Sequence, residues 1–434
     1  MPKLLFDCTT VFWNPGVNSG IQRVVRNIVT NLPDHVLECE CVPVVLTGNK
    51  LYRVRRLLPD SREHGKLSRL YSKLDRLSAL LWSFPENSQG VYGVLMRTTS
   101  RLARLPIAAV MRVLRLAGFS PLARRAVRFD ASPGDHLVLL DSTWQEQYFA
   151  QVEKLKASGL KVTAVIYDII PLIAPQYFPD RLKDMFTKWF NWVICQADGF
   201  ACISKAVCDE VKLTVEQRIG AQKSERCIYS YFHLGSELDL KNGESMPPSE
   251  LKAAFATEWV VFLAVGTLEP RKNHAYLLDA FDALWGSGSE AKLCLIGSGG
   301  WKCEELISRI MKHPRYGKSL FWFKNLDDDG LEYAYGHADA LIMSSHAEGF
   351  GLPIVESLQR GLPVMASDIP VFREVGSDFV AYFDLAHPQS LVNLVQAYER
   401  TRAIPGVRSP REWRWIDWKD SAKQLVDRVI SGAD

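Results

Sequence analysis

No apolar stretch in the 434 residues approaches the ~20 residues a membrane-spanning helix requires, so no such span is expected. The nine cysteines are scattered, and their only close pair is Cys39 and Cys41. No second pair or histidine cluster completes a zinc site. Cys195, Cys202, Cys208, Cys227 and Cys294 lie among apolar residues and read as buried, reduced thiols. The opening MPKLLFDCTTVFW lacks a signal peptide's charged region, long apolar core and cleavage site. It reads as a first strand, LLFDCTTVFW, and predicts an intracellular protein. The loop after it, NPGVNSG, misses the dinucleotide fingerprint G-x-G-x-x-G because Gly16 and Gly20 are four apart. That speaks against a dinucleotide oxidoreductase, the runner-up enzyme class for this strand and helix pattern. No convincing D-x-D metal motif is present either, since Asp327–Asp329 reads as a polar turn before a helix. No internal repeat of about 20–50 residues marks a solenoid.

What remains is a soluble globular composition, 47% hydrophobic and 23% charged, in a chain long enough for two or three domains. Apolar runs alternate with amphipathic stretches in two successive blocks. The first runs from LLFDCTTVFW and the helix IQRVVRNIVTNL, through DHLVLLD and KVTAVIYDII, to CIYSYFHLG. The polar, proline-bearing ELDLKNGESMPPSE separates it from a second block that begins at EWVVFLAVGTLEPRKN. The fold class read from this pattern is α/β, with two doubly wound Rossmann-like domains facing a cleft. The expected boundaries are 1–245, 246–410, and a C-terminal helix over 411–434 that returns to the first domain.

Charge is uneven. Between Lys50 and Arg128, 17 Lys and Arg stand against 4 Asp and Glu, while the whole chain carries only +3. A basic insertion over about 50–130 therefore interrupts the first domain, with amphipathic stretches at KLSRLYSKLDRLSALLW and RLARLPIAAVMRVLRLAGF. Such stretches suit an anionic membrane surface, and equally a domain insertion whose arginines are merely solvated. Nucleic acid fits less well, because Tyr71, Trp82, Phe84 and Tyr92 do not interleave with the charges as stacking platforms.

The chemistry concentrates at strand ends. ADALIMSS leads into HAEGFGLPIVESLQRG, a loop and helix opened by Pro353 and closed by Gly361. Glu348 falls in the loop and Glu356 in the helix, with Gly349, Phe350, Gly351 and Leu352 offering backbone N–H groups to phosphate or sugar oxygens. Taken alone, two glutamates so spaced describe a solvated face as well. The strand VVFLAVGT leads into LEPRKN, which sets Arg271 and Lys272 where adjacent cations can neutralise a diphosphate. Asp168 follows another strand, at YDIIPL, in the position where such sheets place ligands.

VGTLEPRKN, LIGSGGW and HAEGFGLPIVESLQRGLPVMASDIPVFREVG together resemble the retaining, nucleotide-sugar-dependent glycosyltransferases of the GT-B fold, family four, mannosyltransferase-like branch. The resemblance is dense over about Val260 to Asp384 and thinner at NSGIQRVVRNI and YDIIPL. It implies that Arg271 and Lys272 grip the donor diphosphate, that Glu348 meets the transferred sugar, and that Glu356 accepts from the ribose. Gly266 and Gly297 would let the backbone approach the nucleotide, and Asn325 and Leu326 would meet the base. Gly20, in the Gly16–Gly20 loop, would close over the phosphates, with Asp168 facing acceptor and donor sugar. The family often has His where this chain has Tyr167, which bears on sugar choice. The resemblance also implies metal-independent transfer, with no cofactor beyond a nucleotide-sugar co-substrate, GDP-mannose first among them. The acceptor would be a glycan or lipid-linked glycan in surface polysaccharide synthesis, reached from the cytoplasm at the inner face of the membrane. The alternatives are another hexose from a GDP- or UDP-sugar, or a non-catalytic scaffold of the same fold.

Overall fold

The computed structural model describes residues 2–17, 19–36, 39–48, 50–59, 67, 70, 71, 73, 74, 77, 106–115, 117–238 and 246–431. They fall into two compact units. The first comprises Met1–Thr30, Asp34–Thr143 and Gln147–Lys161; the second comprises Asn31–Pro33, Trp144–Glu146 and Val162–Asp434.

In the first unit, β1 (Lys3–Asp7) lies between β3 (Cys39–Thr47) and β6 (His136–Leu139), parallel to both. Leu4, Leu5 and Phe6 are all buried, as expected of a parallel strand covered on both faces. The strand is shorter than LLFDCTTVFW predicts. The Asp7 carboxylate accepts from the Thr9 N–H at 3.0 Å, closing a local turn, and Thr9–Trp13 is a short helix. On the far side β2 (His35–Val36) and β4 (Lys50–Val54) pair antiparallel with β3, and β5 (Ala126–Phe129) continues antiparallel to β4. The basic insertion therefore leaves the sheet at Val54 and re-enters opposite it at Ala126. Residues 106–115 are helical, and Met111 and Leu114 bury against Tyr71. Most of KLSRLYSKLDRLSALLW, and residues 101–105 and 116 of its partner stretch, lie outside the described residues.

The second unit holds two parallel sets. One is β7 (Lys161–Ile166), β8 (Gly199–Cys202) and β9 (Ile228–Tyr231). The other is a six-stranded sheet made of β10 (Val261–Val265), β11 (Lys292–Ile296), β12 (Leu320–Phe323), β13 (Ala340–Met343), β14 (Val364–Ser367) and β15 (Val380–Phe383). Its spatial order is β12-β11-β10-β13-β14-β15, so the chain runs outward from β10 to one edge and then restarts at β13 beside it. That is the doubly wound order whose reversal point opens a crevice at the strands' carboxyl ends. Helices His274–Gly286 and Pro388–Thr401 cover this sheet, burying Leu278, Phe281, Leu391 and Val395 against Phe262 and Ile342.

The C-terminal helix Trp418–Ser431 packs on β8 and β9. Its tryptophan-rich approach is pinned by hydrogen bonds: Trp415 Nε1 to the Leu234 carbonyl at 2.7 Å and Trp418 Nε1 to that of Glu237 at 3.0 Å. The thiols depart from expectation. Cys202, Cys208 and Cys294 are buried, whereas Cys195 is exposed and Cys227 half-buried, because both of these sit at element ends that face water.

Two glycines set how closely the strand-end loops approach. Gly297 has φ 146°, and a Cβ there would overlap the Gly266 carbonyl oxygen. Gly336, by contrast, lies in the helix Asp328–His337 with nothing within 4 Å of an added Cβ. Gly297→Ala should destabilise the protein by about 3 kcal/mol through overlap and backbone strain, while Gly336→Ala should stabilise it by about 0.5–1 kcal/mol. Urea unfolding of the two variants checks the contrast.

Candidate functional site

The site is built at the reversal point of the six-stranded sheet, where β10 and β13 lie side by side with Phe262 opposite Ala340. Beyond β10 the chain passes Gly266 and is tied to the loop after β11. Leu268 N–H donates to the Ser298 carbonyl, and Gly300 N–H to that of Leu268, each at 2.9 Å. Pro270–Lys272 then makes a single 3-10 turn, and Asn273 takes a left-handed φ of 54° to start the helix His274–Gly286. This tight corner throws Arg271 and Lys272 toward the loop that follows β13.

Glu348 meets them there. Arg271 donates to its Oε2 at 2.6 Å and Lys272 to its Oε1 at 2.5 Å, while Ser345 Oγ adds a bond to Oε1 at 2.7 Å. Arg271 also reaches the Ala347 carbonyl at 2.7 Å and Glu269 at 2.6 Å. The network is largely dry, with 14% of each cation's side chain and 9% of Glu348's exposed. Burial alone would push the Glu348 carboxyl up, but Arg271 and Lys272 outweigh it and hold it at about 2. Burial likewise raises Glu269 and Asp168, against the pull of Arg271. The Arg271 guanidinium keeps its charge firmly, because Glu348, Glu269 and Asp168 overcome its desolvation. Behind them His274 is buried and pushed down to about 3, by desolvation and by the Lys272 cation, so it is neutral.

Asp168, on the loop after β7, lies within electrostatic reach of Arg271, Lys272 and Glu348. The approach is close: a Cβ on Gly349 would overlap the Tyr167 carbonyl oxygen, and Ser204 Oγ donates to the Gly349 carbonyl at 2.9 Å. Gly351, at φ 102°, precedes the helix Leu352–Gln359, with Pro353 in its first turn and Gly361 just beyond it. Phe350 is buried, its ring 6.0 Å from those of both His233 and Trp415, so that side chain anchors the loop in the core. Glu356, on the same helix, is buried and accepts from Tyr335 Oη at 2.6 Å. Gly266 and Gly297 meet each other, at the ends of neighbouring strands. Asn325 is exposed and Leu326 half-buried in the loop after β12, and Asp327 caps the helix that follows by accepting from the Gly330 N–H at 2.9 Å. Gly20 opens the helix Gly20–Thr30 of the first unit.

Sequence reasoning passed over several participants. Glu269 and Ser345 complete the ion network, yet an acid beside two loop cations, or a serine beside a strand end, carries no pattern of its own. Glu374 accepts from the N–H groups of Lys205 and Ala206 at 2.7 and 2.9 Å, capping the helix Lys205–Ile219, and bonds His233 at 2.8 Å. In the first unit two buried acids stand near the ends of β1 and β6. Burial first, then Asp141, pushes Asp7 up to about 7, while Asp141 accepts from the N–H groups of Val11 and Ser142 at 2.9 and 2.7 Å.

Residues 250–403 match the family described as glycosyl transferases group 1. A serotype-specific mannosyltransferase, WbdA of Escherichia coli, is 32% identical over 303 residues, which are 69% of this chain and 37% of that protein. O-antigen chain mannosyltransferase B of Escherichia coli is 36% identical over 172 residues, 38% of this chain and 44% of its own length. The chain thus spans less than half the length of these curated relatives. Among solved structures, sucrose-phosphate synthase from Thermosynechococcus elongatus aligns over 100% of this chain and 95% of its own, with a TM-score of 0.52 at 14% identity. HepE of Anabaena, in complex with UDP-glucose, aligns over 99% and 97% with a TM-score of 0.53 at 14% identity. The fold is that of the GT-B glycosyltransferases, and residues 250–403 carry the match to the group 1 glycosyltransferases.

The ion network has a pH signature. The Glu348 carboxyl falls from 4.5 to about 2 on folding, so its contribution is complete above pH 4.5 and is lost as pH drops through about 2. Glu348→Gln leaves two buried cations short of their partner and should cost about 3 kcal/mol at pH 7. It should also remove this group's share of the acid-side loss between those pH values. Urea unfolding from pH 7 to pH 2 measures both, and a variant as stable as the parent at pH 7 contradicts the assignment.

Proposed function

We propose that the protein is a retaining hexosyltransferase that moves mannose from GDP-mannose to a glycan or lipid-linked glycan acceptor in surface polysaccharide synthesis. The observation that carries this reading is the pair of desolvated cations at the sheet's reversal point, held ready by Glu348. A diphosphate brings two negative groups with several acceptor oxygens, and an Arg fork with a Lys point charge matches it. As it binds, its oxygens take over the donors of Arg271 and Lys272, and Glu348 turns to the hydroxyls of the transferred sugar. Glu356 accepts from the ribose, beside the backbone of Gly349, Phe350, Gly351 and Leu352. In this reading residues 246–410 serve the donor and residues 1–245 the acceptor.

In the reaction the bond from the anomeric carbon to the diphosphate oxygen breaks, and the acceptor hydroxyl attacks from the same face. The departing diphosphate takes the hydroxyl proton, which leaves free GDP and a glycosidic bond of unchanged configuration. Arg271 and Lys272 act where charge develops on the leaving group, which is where fixed electrostatics accelerate a step most. Charge compensation by side chains is the reason for proposing that no metal is needed. Mannose is favoured over glucose or N-acetylglucosamine because the curated relatives are named as mannosyltransferases. A non-catalytic scaffold would have no use for two buried cations aimed at one carboxylate.

Purified protein challenged with GDP-mannose, UDP-glucose and UDP-N-acetylglucosamine should respond to the GDP-sugar by thermal shift and slow donor hydrolysis. Arg271→Ala should abolish the shift and lower turnover by about 100-fold or more. EDTA should leave hydrolysis intact; loss that Mg²⁺ restores would remove the metal-independent part, and no response to any donor would favour the scaffold. Among the described residues no helix is long and apolar enough to cross a membrane, and Tyr71, Met111 and Leu114 already bury one another. Attachment to an anionic bilayer would therefore be electrostatic, through the basic insertion. Binding to phosphatidylserine vesicles should fall steeply with added salt and vanish when the Lys and Arg of 50–128 are neutralised; salt-insensitive or absent binding removes the membrane claim.

A further inference from the structure

The second unit carries a cavity away from the ion network, of about 580 Å³, between the segment Trp144–Glu146 and the helix Asp180–Gln196. That volume lies within the usual range of small-molecule sites, about 300–1,000 Å³. One wall is the half-buried indole of Trp144, and Met185 lies beside it. The indole is fixed from behind by the rings of Phe186, edge-on at 5.3 Å and 82°, and Trp189 at 5.9 Å. Around the mouth stand two cations, Arg181 and Lys188, and two carboxylates, Glu146 and Asp184. Lys188 and Glu146 pair at 3.2 Å. Arg181 and Asp184 are exposed, and among the described residues neither side chain makes a hydrogen bond or an ion pair.

We infer that this cavity is a subsite for one or two sugar residues of the acceptor glycan, an inference that rests on the glycosyl-transfer reading. A rigid aromatic face takes the C–H side of a pyranose ring, while planar guanidinium and carboxylate groups at the rim take pairs of its hydroxyls. The two cations and two carboxylates balance, so the lining carries no net charge to favour a phosphate or an anionic headgroup, and its apolar part is confined to Trp144 and Met185. A neutral polyhydroxylated ligand is what remains. The cavity's helix also follows the connection that holds Asp168, after the short helix Ile170–Ile173 and the turn Pro175–Tyr177. That loop is clamped to the donor side: Tyr177 stacks on His346 at 5.3 Å, and Trp301 Nε1 donates to the Tyr177 carbonyl at 2.8 Å. A glycan seated at Trp144 is thereby coupled to the loop that carries Asp168 beside Glu348.

Calorimetric titration of the full chain with α-linked mannotriose and mannotetraose tests this, with tryptophan emission as a second readout. Saturable binding is expected, weakened at least about tenfold in Arg181→Ala and in Asp184→Ala. Both are exposed, unbonded positions where the fold should survive, as an unchanged thermal midpoint would show. Trp144→Ala should abolish binding and the emission change together. The subsite is overturned if the parent binds neither oligosaccharide, if both surface variants bind as the parent does, or if phosphatidylserine vesicles displace the sugar. GDP-mannose titrated into the same samples separates the two claims. A nucleotide response without oligosaccharide binding removes the subsite alone, whereas oligosaccharide binding without a nucleotide response leaves a sugar-binding cavity and removes both the transferase reading and the cavity's role as an acceptor subsite.

Discussion

The contact between Glu348 and the Arg271–Lys272 pair holds together the two loops on which everything else at the site depends. Adjacent cations repel, and taking them out of water is costly unless a counter-charge sits within hydrogen-bond reach. A carboxylate held at about 2 supplies it at every physiological pH. The network is strong because it is dry, and it stays poised because the cations meet Glu348 through single hydrogen bonds that a better anion can replace. Burial pushes the carboxyls of Glu269 and Asp168 up, and the Arg271 cation pulls both back down.

That contact exists only because the backbone lets the loops close. The order β12-β11-β10-β13-β14-β15 puts the ends of β10 and β13 side by side while their connections leave in opposite directions. Gly297 against Gly266, and Gly349 against the Tyr167 carbonyl, then remove the side chains that would hold the loops apart. The interest of Tyr167 shifts accordingly. Its main chain is the packing surface for Gly349 on the loop that carries Glu348.

Much of this was legible in the sequence. Cations a few residues after VVFLAVGT and an acid a few residues after ADALIMSS could be assigned to strand ends, and strand ends in a doubly wound sheet converge. Pro353 and Gly361 marked the helix Leu352–Gln359 to within a residue or so, because proline and glycine act locally. Long-range partners were not legible. Glu374 caps a helix that starts at Lys205, and nothing local in FREVG distinguishes it from a solvated acid. Asp7 looked like part of a continuing strand, and only its bond to Thr9 shows why the chain turns. The alternation of strands was read correctly, but the antiparallel edge formed by β4 and β5 was hidden by the 71 residues between them, 55–125.

The two sides of the proposed reaction present different physical problems, and the molecule meets them differently. A nucleoside diphosphate is a concentrated charge, and it is matched by buried ions in a fixed frame, where a low effective dielectric makes each charge count. A glycan acceptor is neutral and binds through many weak hydroxyl contacts. The cavity at Trp144 offers an aromatic face and charge-balanced exposed groups that lose little hydration on meeting it. Between them the loop carrying Asp168 and Tyr177 touches both. Its ties to His346 and Trp301 mean that loading either side changes the strain on one segment, which is the physical requirement for donor and acceptor sites to sense each other.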